Sequence, residues 1–289
     1  MNNQLDSQLD SKLDHQLILA LEQLLGKDRC LSCPEDLHAY SFDLFARGLP
    51  ALVVLPETTR EVSEILKLAN RHQVFITPRG AGTSLTGGPV PQRGGIVLAM
   101  TRMDQILEIS TVNRLIRVQA GVITKDLQAK ANSCHLYYPP NPTSADYCTI
   151  GGNIATNAGG ASGVKYGVTS DYILGLTLVL ADGRILETGG KCIKSVAGFD
   201  FKRAFCGSEG LLGVITEGGG LCALHNPDLS KQLGNLKARN IVNSEAQILT
   251  APCPGCLIQI KDRLGANNAQ IESTHPIELV ARTYAKDDQ

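Results

Sequence analysis

Two hydrophobic rhythms run along this chain, and they change places near its middle. From about Leu13 to Leu25 leucines recur at helical spacing, behind a polar lead-in of Gln-Leu-Asp-Ser and Lys-Leu-Asp-His units, which predicts a first helix. The run Ala51–Pro56 (ALVVLP) is short, apolar and rich in valine, and predicts a strand. Thr58 with Glu61 three residues later is the capping-box pattern. Val62, Ile65, Leu66 and Ala69 then follow on one helical face. Val74–Thr77 (VFIT) predicts the next strand, so this stretch reads as strand–helix–strand with parallel strands. A strand at GIVLAM follows, then a hairpin from ILEIS and LIRVQAG, and a helix over Val122–Ser133. ILGLTLVLADGRILET alternates apolar and polar residues around Asp182-Gly183, a hairpin-turn signal. Crossover-linked strands thus give way to hairpin-linked ones, which predicts an α+β chain whose two lobes share one cleft.

Three glycine clusters interrupt these patterns. The first, Pro78–Val90 (PRGAGTSLTGGPV), directly follows a predicted strand. Glycine allows positive φ and close approach to an anion, and successive amides in such a turn converge into an anion-binding nest. The loop lacks the Gly-Lys-Ser/Thr ending of a nucleoside-triphosphate loop and the Gly-x-Gly-x-x-Gly of a Rossmann turn. What remains is a backbone-dominated pyrophosphate cradle suited to a flavin dinucleotide; the alternative is a glycine-rich surface loop. The second cluster, Thr149–Gly160 (TIGGNIATNAGG), has small side chains that let backbone approach backbone or a planar ligand; its alternative is a glycine-rich turn packed on a sheet. In the third, Phe205–Thr216, a tight turn over Gly207–Gly210 precedes a strand that begins near Gly213-Val214-Ile215.

Composition narrows the classes. The chain has 289 residues, 29 glycines, no tryptophan and a formal net charge of −1. That length suits one large domain or two smaller ones. A near-neutral balance gives no electrostatic case for nucleic acid or an anionic membrane surface as partner. No apolar run reaches the length of a membrane span. The polar start resembles neither a secretory signal nor a transit peptide, and nine scattered cysteines suit reduced thiols in the cytoplasm.

With these residues in place a resemblance is plain. PRGAGTSLTGG, PPNPTSADYCTIGGNIATNAGG, YGVTSDYILGLTLVLADG and FCGSEGLLGVITE resemble the FAD-binding domain of the vanillyl-alcohol-oxidase-type (PCMH-type) flavoproteins. Within that family the likeness is to the FAD subunit of glycolate oxidase and the related D-lactate dehydrogenases. It implies three parts: a helical lead-in over 1–35, a two-lobed FAD-binding domain over 36–217 and a tail over 218–289. It also implies that Pro78, Arg79, Gly80, Ala81, Gly82, Thr83 and Ser84 hold the pyrophosphate, and that Pro140, Thr143, Thr149, Gly152, Asn153, Gly159 and Gly160 line the ribityl and flavin portion. Gly213, Val214 and Ile215 would meet the adenine side through backbone atoms. Arg79 would offset phosphate charge or, as a loop-flanking arginine, form a surface ion pair. No histidine falls within the motifs, so non-covalent FAD is expected.

Beyond Glu217-Gly218 the pattern changes. The tail, with Cys253-Pro-Gly-Cys256, resembles the end of the glycolate oxidase iron–sulfur subunit, a CCG-type module expected here as a short α/β or partly ordered piece. The chain thus reads as the front of one subunit type joined to the back of another, as a gene fusion or an artefact of gene assembly would produce. The substrate-binding cap of the FAD subunit has no counterpart in it. The family implication is oxidation of a small 2-hydroxy acid such as glycolate or D-lactate, with an iron–sulfur partner. The other reading is a catalytically inactive FAD module that docks on such a partner. No base and carboxylate-binding cations stand out in sequence, so the catalytic residues are left unassigned. His135 is a candidate near the flavin or a structural histidine, His275 a helix-starting residue beside Pro276. Cys30 and Cys33 have the spacing of a pair without partners, and two cysteines at 253 and 256 cannot complete a tetrahedral site, so no metal is expected.

Overall fold

The protein is described from a computed structural model that covers residues 13–192, 194 and 198–224, and beyond them 235–236, 238–244, 246–250, 257, 260–261, 264–267, 269 and 271–284. It divides into two compact units. The first holds the residues up to Tyr138, Ser144–Ala158 and Val168–Ala223; the second holds Pro139–Thr143, Gly159–Gly167 and the described residues from Leu224 onward.

In the first unit α1 (His15–Leu25) is capped by Asp14, and its Leu17, Leu21 and Leu25 are buried one turn apart. β1 (Cys30–Leu31) and α2 (Pro34–Ala39) lead to β2 (Leu52–Val54). α3 (Thr59–Arg71) has both halves of the capping box: Glu61 N–H donates to Thr58 Oγ1 at 3.2 Å, and Thr58 N–H donates to the Glu61 carboxylate at 3.1 Å. Its apolar face, Val62, Ile65, Leu66 and Ala69, is buried as the spacing predicts. β3 (Ile76–Arg79) and β4 (Ile96–Ala99) complete a sheet of order β1-β2-β4-β3, with β2 and β3 both parallel to β4. β4 therefore lies between the two strands of the predicted unit. Pairing of Pro78 and Arg79 with Leu98 and Ala99 carries β3 two residues further than the apolar run suggested.

The second sheet is antiparallel. β5 (Ile106–Ser110) and β6 (Leu115–Gln119) form the expected hairpin, followed by α4 (Thr124–Ser133) and β7 (Leu136–Tyr137). α5 (Ile150–Thr156) comes next, and the short α6 (Gly163–Tyr166) belongs to the second unit. β8 (Ile173–Val179) and β9 (Ile185–Gly189) close around Gly183, whose φ of 85° the turn requires. After α7 (Phe201–Phe205), β10 (Val214–Leu221) enters the middle of the order β5-β6-β10-β8-β9. Val179 and Val214 of this sheet share one buried cluster with α1, α3, Leu52, Val54, Ile96 and Leu98, so α3 joins the two lobes. This is the α+β, two-lobed architecture that the sequence led us to expect.

Two elements departed from expectation. The second glycine cluster contains a helix, α5, although glycine is among the poorest helix formers. It forms because Ile150 and Ile154 bury against the second sheet, and because Gly151 lets the helix press on Ala120, where a Cβ would stand 2.6 Å from the Ala120 methyl. β10 is also longer than expected: it runs to Leu221, so the division placed between residues 217 and 218 falls within a paired strand.

In the second unit a parallel pair joins Ile248–Thr250 to Glu272–Thr274, and a helix spans Pro276–Tyr284. Ile277 N–H donates to His275 Nδ1 at 3.2 Å. Ala238, Ile260 and Leu264 form a small core there. Cys253 and Cys256 lie outside the described residues.

Gly218, Gly219 and Gly220 occupy successive positions of the central strand β10. Glycine weakens a strand interior. A Cβ on Gly219 would have only ordinary contact, 3.8 Å from the Gly175 carbonyl. Gly219→Thr is expected to stabilise the first unit by about 0.5–1 kcal/mol, seen as a thermal midpoint raised by roughly 1–4 °C.

Candidate functional site

The C-terminal end of β3 delivers the first glycine loop to one side of a cleft in the first unit. Thr149 and the start of α5 form a second wall, and Gly213-Val214-Ile215 at the start of β10 form a third. The cleft holds about 980 Å³ of atom-free space, part of it open to solvent, in the size range of cofactor sites.

The structure brings Pro78, Arg79, Gly80, Ala81, Gly82, Thr83 and Ser84 to this cleft, together with Thr149, Gly152, Asn153, Gly213, Val214 and Ile215. Pro140, Thr143, Gly159 and Gly160 belong to the second unit. There Asn141 bridges Gly160, and a Cβ at Gly160, whose φ is 107°, would overlap the Asn141 carbonyl. Sequence reasoning missed other lining residues. Gly88, Pro89, Gly151, Ala155, Thr156, Ala158 and Gly210 lie inside or beside the glycine clusters, so a wider reading of those clusters finds them. Glu209 lies within the third cluster too, whereas Met100, Ala120, Ser144 and Cys148 carry no such signal.

The walls are mostly main chain. Among the described residues, the amides of Ala81, Gly82, Thr83 and Ser84 have no hydrogen-bond partner within the protein. Gly80 sits so close to Thr149 that a Cβ would overlap its hydroxyl. Unpaired amides on a loop of this kind are the donor set that an anionic diphosphate requires. Val214 and Ile215 line the cleft while their side chains are buried in the two core clusters. The residues present therefore fit a flavin dinucleotide's diphosphate.

Individual side chains differ from their expected roles. Arg79 is 7 % exposed. Its Nη1 donates to the Pro89 carbonyl at 3.1 Å and its Nη2 to the Phe42 carbonyl at 3.0 Å. Its guanidinium lies 5.8 Å from the Tyr40 ring centre. The surface ion pair is thus not formed; Arg79 is a buried cation behind the loop. Asn153 is also buried, and its Nδ2 donates to Thr124 Oγ1 at 2.7 Å. Thr124 in turn donates to the Cys148 carbonyl at 3.1 Å. Thr149 Oγ1 accepts from Gly152 N–H at 3.3 Å and caps α5.

Arg79 and Glu209 are the only charged side chains among the lining residues. Glu209 is exposed in a left-handed conformation at φ 53° and donates its amide to the Ala155 carbonyl at 2.8 Å. His135 is exposed at the end of α4, with φ 56°, and is not among the lining residues. Cys30 is buried in β1 and Cys33 exposed; burial pushes the Cys30 thiol up to about 11, with Glu22 adding to the rise, so it is held as an inert thiol.

The cleft thus combines loop amides that no protein group pairs with walls made largely of main chain and small residues. Residues 50–189 match the family model described as FAD binding domain, and FAD is the cofactor this domain takes. The chain is similar to glycolate oxidase subunit GlcD of Bacillus subtilis (strain 168), 51% identical over 180 residues, which are 62% of this chain and 38% of that protein. It is 39% identical over 183 residues to a D-lactate dehydrogenase of Anaerostipes hadrus, across 63% of this chain and 38% of the relative. Against GlcD of Escherichia coli (strain K12) it is 38% identical over 216 residues, 74% of this chain and 43% of the relative. The chain thus spans about two fifths of the length of the curated relatives it matches. Among solved structures, alkyldihydroxyacetonephosphate synthase superposes with a TM-score of 0.68 at 22% identity, over 80% of this chain and 47% of that one. p-Cresol methylhydroxylase with substrate bound gives 0.64 at 22%, over 73% and 44%. Both share the fold.

Thr124 is wholly buried and ties Asn153 of α5 to Cys148, just ahead of the helix, within one wall of the cleft. Thr124→Val keeps its shape but leaves the Asn153 amide without its acceptor. The expected cost is about 1–3 kcal/mol of stability, read from chemical denaturation midpoints.

Proposed function

We propose that this chain is the FAD-holding part of a 2-hydroxy-acid dehydrogenase of the glycolate oxidase and D-lactate dehydrogenase type, acting on a small acid such as glycolate or D-lactate. The observation that carries this reading is the row of unpaired amides from Ala81 to Ser84 facing a cleft of cofactor size. Ala81–Ser84 and Gly80 would hold the diphosphate, Thr149 and Gly152 the ribityl portion, and the backbone of Gly213–Ile215 the adenine side. The bound flavin supplies the two-electron oxidant and passes electrons on singly to a carrier, for which an iron–sulfur partner is the family precedent. Non-covalent attachment is part of this reading, supported by the lack of a histidine among the described lining residues. All seven described cysteines are free, in keeping with a cytoplasmic setting.

Oxidation of a hydroxy acid also needs a base at the hydroxyl and cations at the carboxylate. Arg79 is buried behind the loop with two of its N–H groups on the Pro89 and Phe42 carbonyls, and Glu209 is of the wrong charge for the carboxylate. The described residues of the cleft therefore serve to bind and orient the cofactor rather than the substrate. This favours the module reading, with substrate groups brought by another domain or subunit.

The test is a visible spectrum of the purified chain, before and after acid precipitation and after anaerobic addition of glycolate or D-lactate. The expected result is a flavin spectrum that moves wholly into the supernatant on precipitation and that neither acid bleaches. Colourless protein under FAD saturation overturns the cofactor reading; bleaching by either acid overturns the division of labour. Gly80→Ala, which drives a methyl into the Thr149 hydroxyl, is expected to weaken FAD binding by at least about tenfold, or 1.4 kcal/mol.

A further inference from the structure

The geometry points to Asp43 as the residue that positions the diphosphate loop, acting with the buried Arg79 guanidinium and from outside the cleft. This rests on the cofactor reading above and adds to it the device that keeps the loop in binding shape. Asp43 lies 36 residues before the loop in sequence and is not among the residues that line the cleft. Its side chain is nonetheless buried, at 6 % exposure. One carboxylate oxygen accepts from Phe45 N–H at 2.9 Å and Ala46 N–H at 2.7 Å, closing its own turn. The other reaches across and accepts from Gly87 N–H at 2.7 Å. Burial alone raises the pKa of this carboxyl, but the amides of Ala46, Phe45 and Gly87, and then the Arg79 charge, outweigh it and hold the carboxyl below the usual range. Asp43 is therefore an anion, and its three bonds are charge-assisted.

Arg79 completes the clamp. It starts the loop, as the last residue of β3, and its Nη1 grips the Pro89 carbonyl at the loop's far end. Its Nη2 grips the Phe42 carbonyl, one residue before Asp43. The loop curls over this guanidinium closely enough that a Cβ on Gly82, at φ 73°, would overlap it. Gly87 also takes positive φ, 81°, beside the Ala46 methyl. Both ends of the loop are thus tied to one buried anion and one buried cation, while the four amides between them are left unpaired. A flexible loop would have to lose its conformational freedom on binding; a clamped one holds its amides convergent beforehand.

The test compares FAD with riboflavin, which lacks the diphosphate, by flavin fluorescence on the apo-chain. Asp43→Asn replaces the acceptor pair by one carbonyl and one amide. It is expected to raise the FAD dissociation constant by about 10- to 100-fold, the loss of one charge-assisted bond's worth of loop order, and to leave riboflavin within twofold. Arg79→Lys keeps a cation but loses the planar fork that spans two carbonyls, and gives the same split if Asp43→Asn does not fold. The double variant adds less than the sum of the two, because both act on one loop. Equal losses for FAD and riboflavin in the folding variants, or no loss for FAD, overturn the proposal while the cofactor reading stands. Failure of the unaltered chain to bind FAD overturns both.

Discussion

The close approach of one main chain to another is the constraint on which the cleft depends. Gly80 lies against the Thr149 hydroxyl, Gly151 against Ala120, and Gly213 has room for a Cβ only 2.9 Å from the Val179 carbonyl. Each contact removes a side chain from a wall and leaves peptide groups facing inward. Peptide amides cannot swing away as side chains do, so their direction is set by the strands and helix that carry them. Those elements are set in turn by α3, whose buried face holds both sheets in one cluster. Full burial of a residue such as Val62 or Ile65 is worth about 1.5–3 kcal/mol, so the cleft's shape is underwritten by ordinary hydrophobic packing some distance from it.

The electrostatics follow the same logic. A diphosphate brings negative charge, yet the lining offers one buried arginine and no lysine. Arg79 is buried, with two of its N–H groups on carbonyls, and the loop that carries the unpaired amides wraps it. The carbonyls that hold this cation are neutral, so the nearby Asp43 carboxylate is its main counter-charge. Asp43 is close enough to lower the cation's field, which sets the clamp against the charge it supports. The structure favours geometric order over raw attraction, and the unpaired amides supply the attraction at the surface itself.

Much of this was legible in residue pattern. The capping box of Thr58 and Glu61, the apolar face of α3, the Asp182-Gly183 hairpin and the order of glycine clusters each specify local structure by mechanism, and each appears where the pattern places it. α5 was not legible, because its helical state comes from burial of Ile150 and Ile154 rather than from the propensity of a Gly-Gly-Asn sequence. Nor was Asp43: an isolated aspartate between Phe42 and Leu44 carries no motif, and its partners lie as far as 44 residues away. Arg79 was visible as a residue but not as a buried one, since nothing local announces that Tyr40, Phe42 and Pro89 surround it.

Two chemical demands separate in a cleft of this kind. Holding a dinucleotide requires many weak donors fixed in space, which a two-lobed scaffold supplies from its own backbone. Substrate chemistry requires a few titratable side chains at one point, and the described cleft has its arginine committed to carbonyls and its glutamate exposed at the rim. These two demands are separable because they use different parts of the polypeptide. The described cleft offers the first kind of group in abundance, with the amides of residues 81–84 unpaired along one wall, and of the second only one arginine and one glutamate. With Asp43 and Arg79 holding both ends of the loop, the four amides between them stay unpaired within the protein, and their direction is set by packing rather than by any ligand.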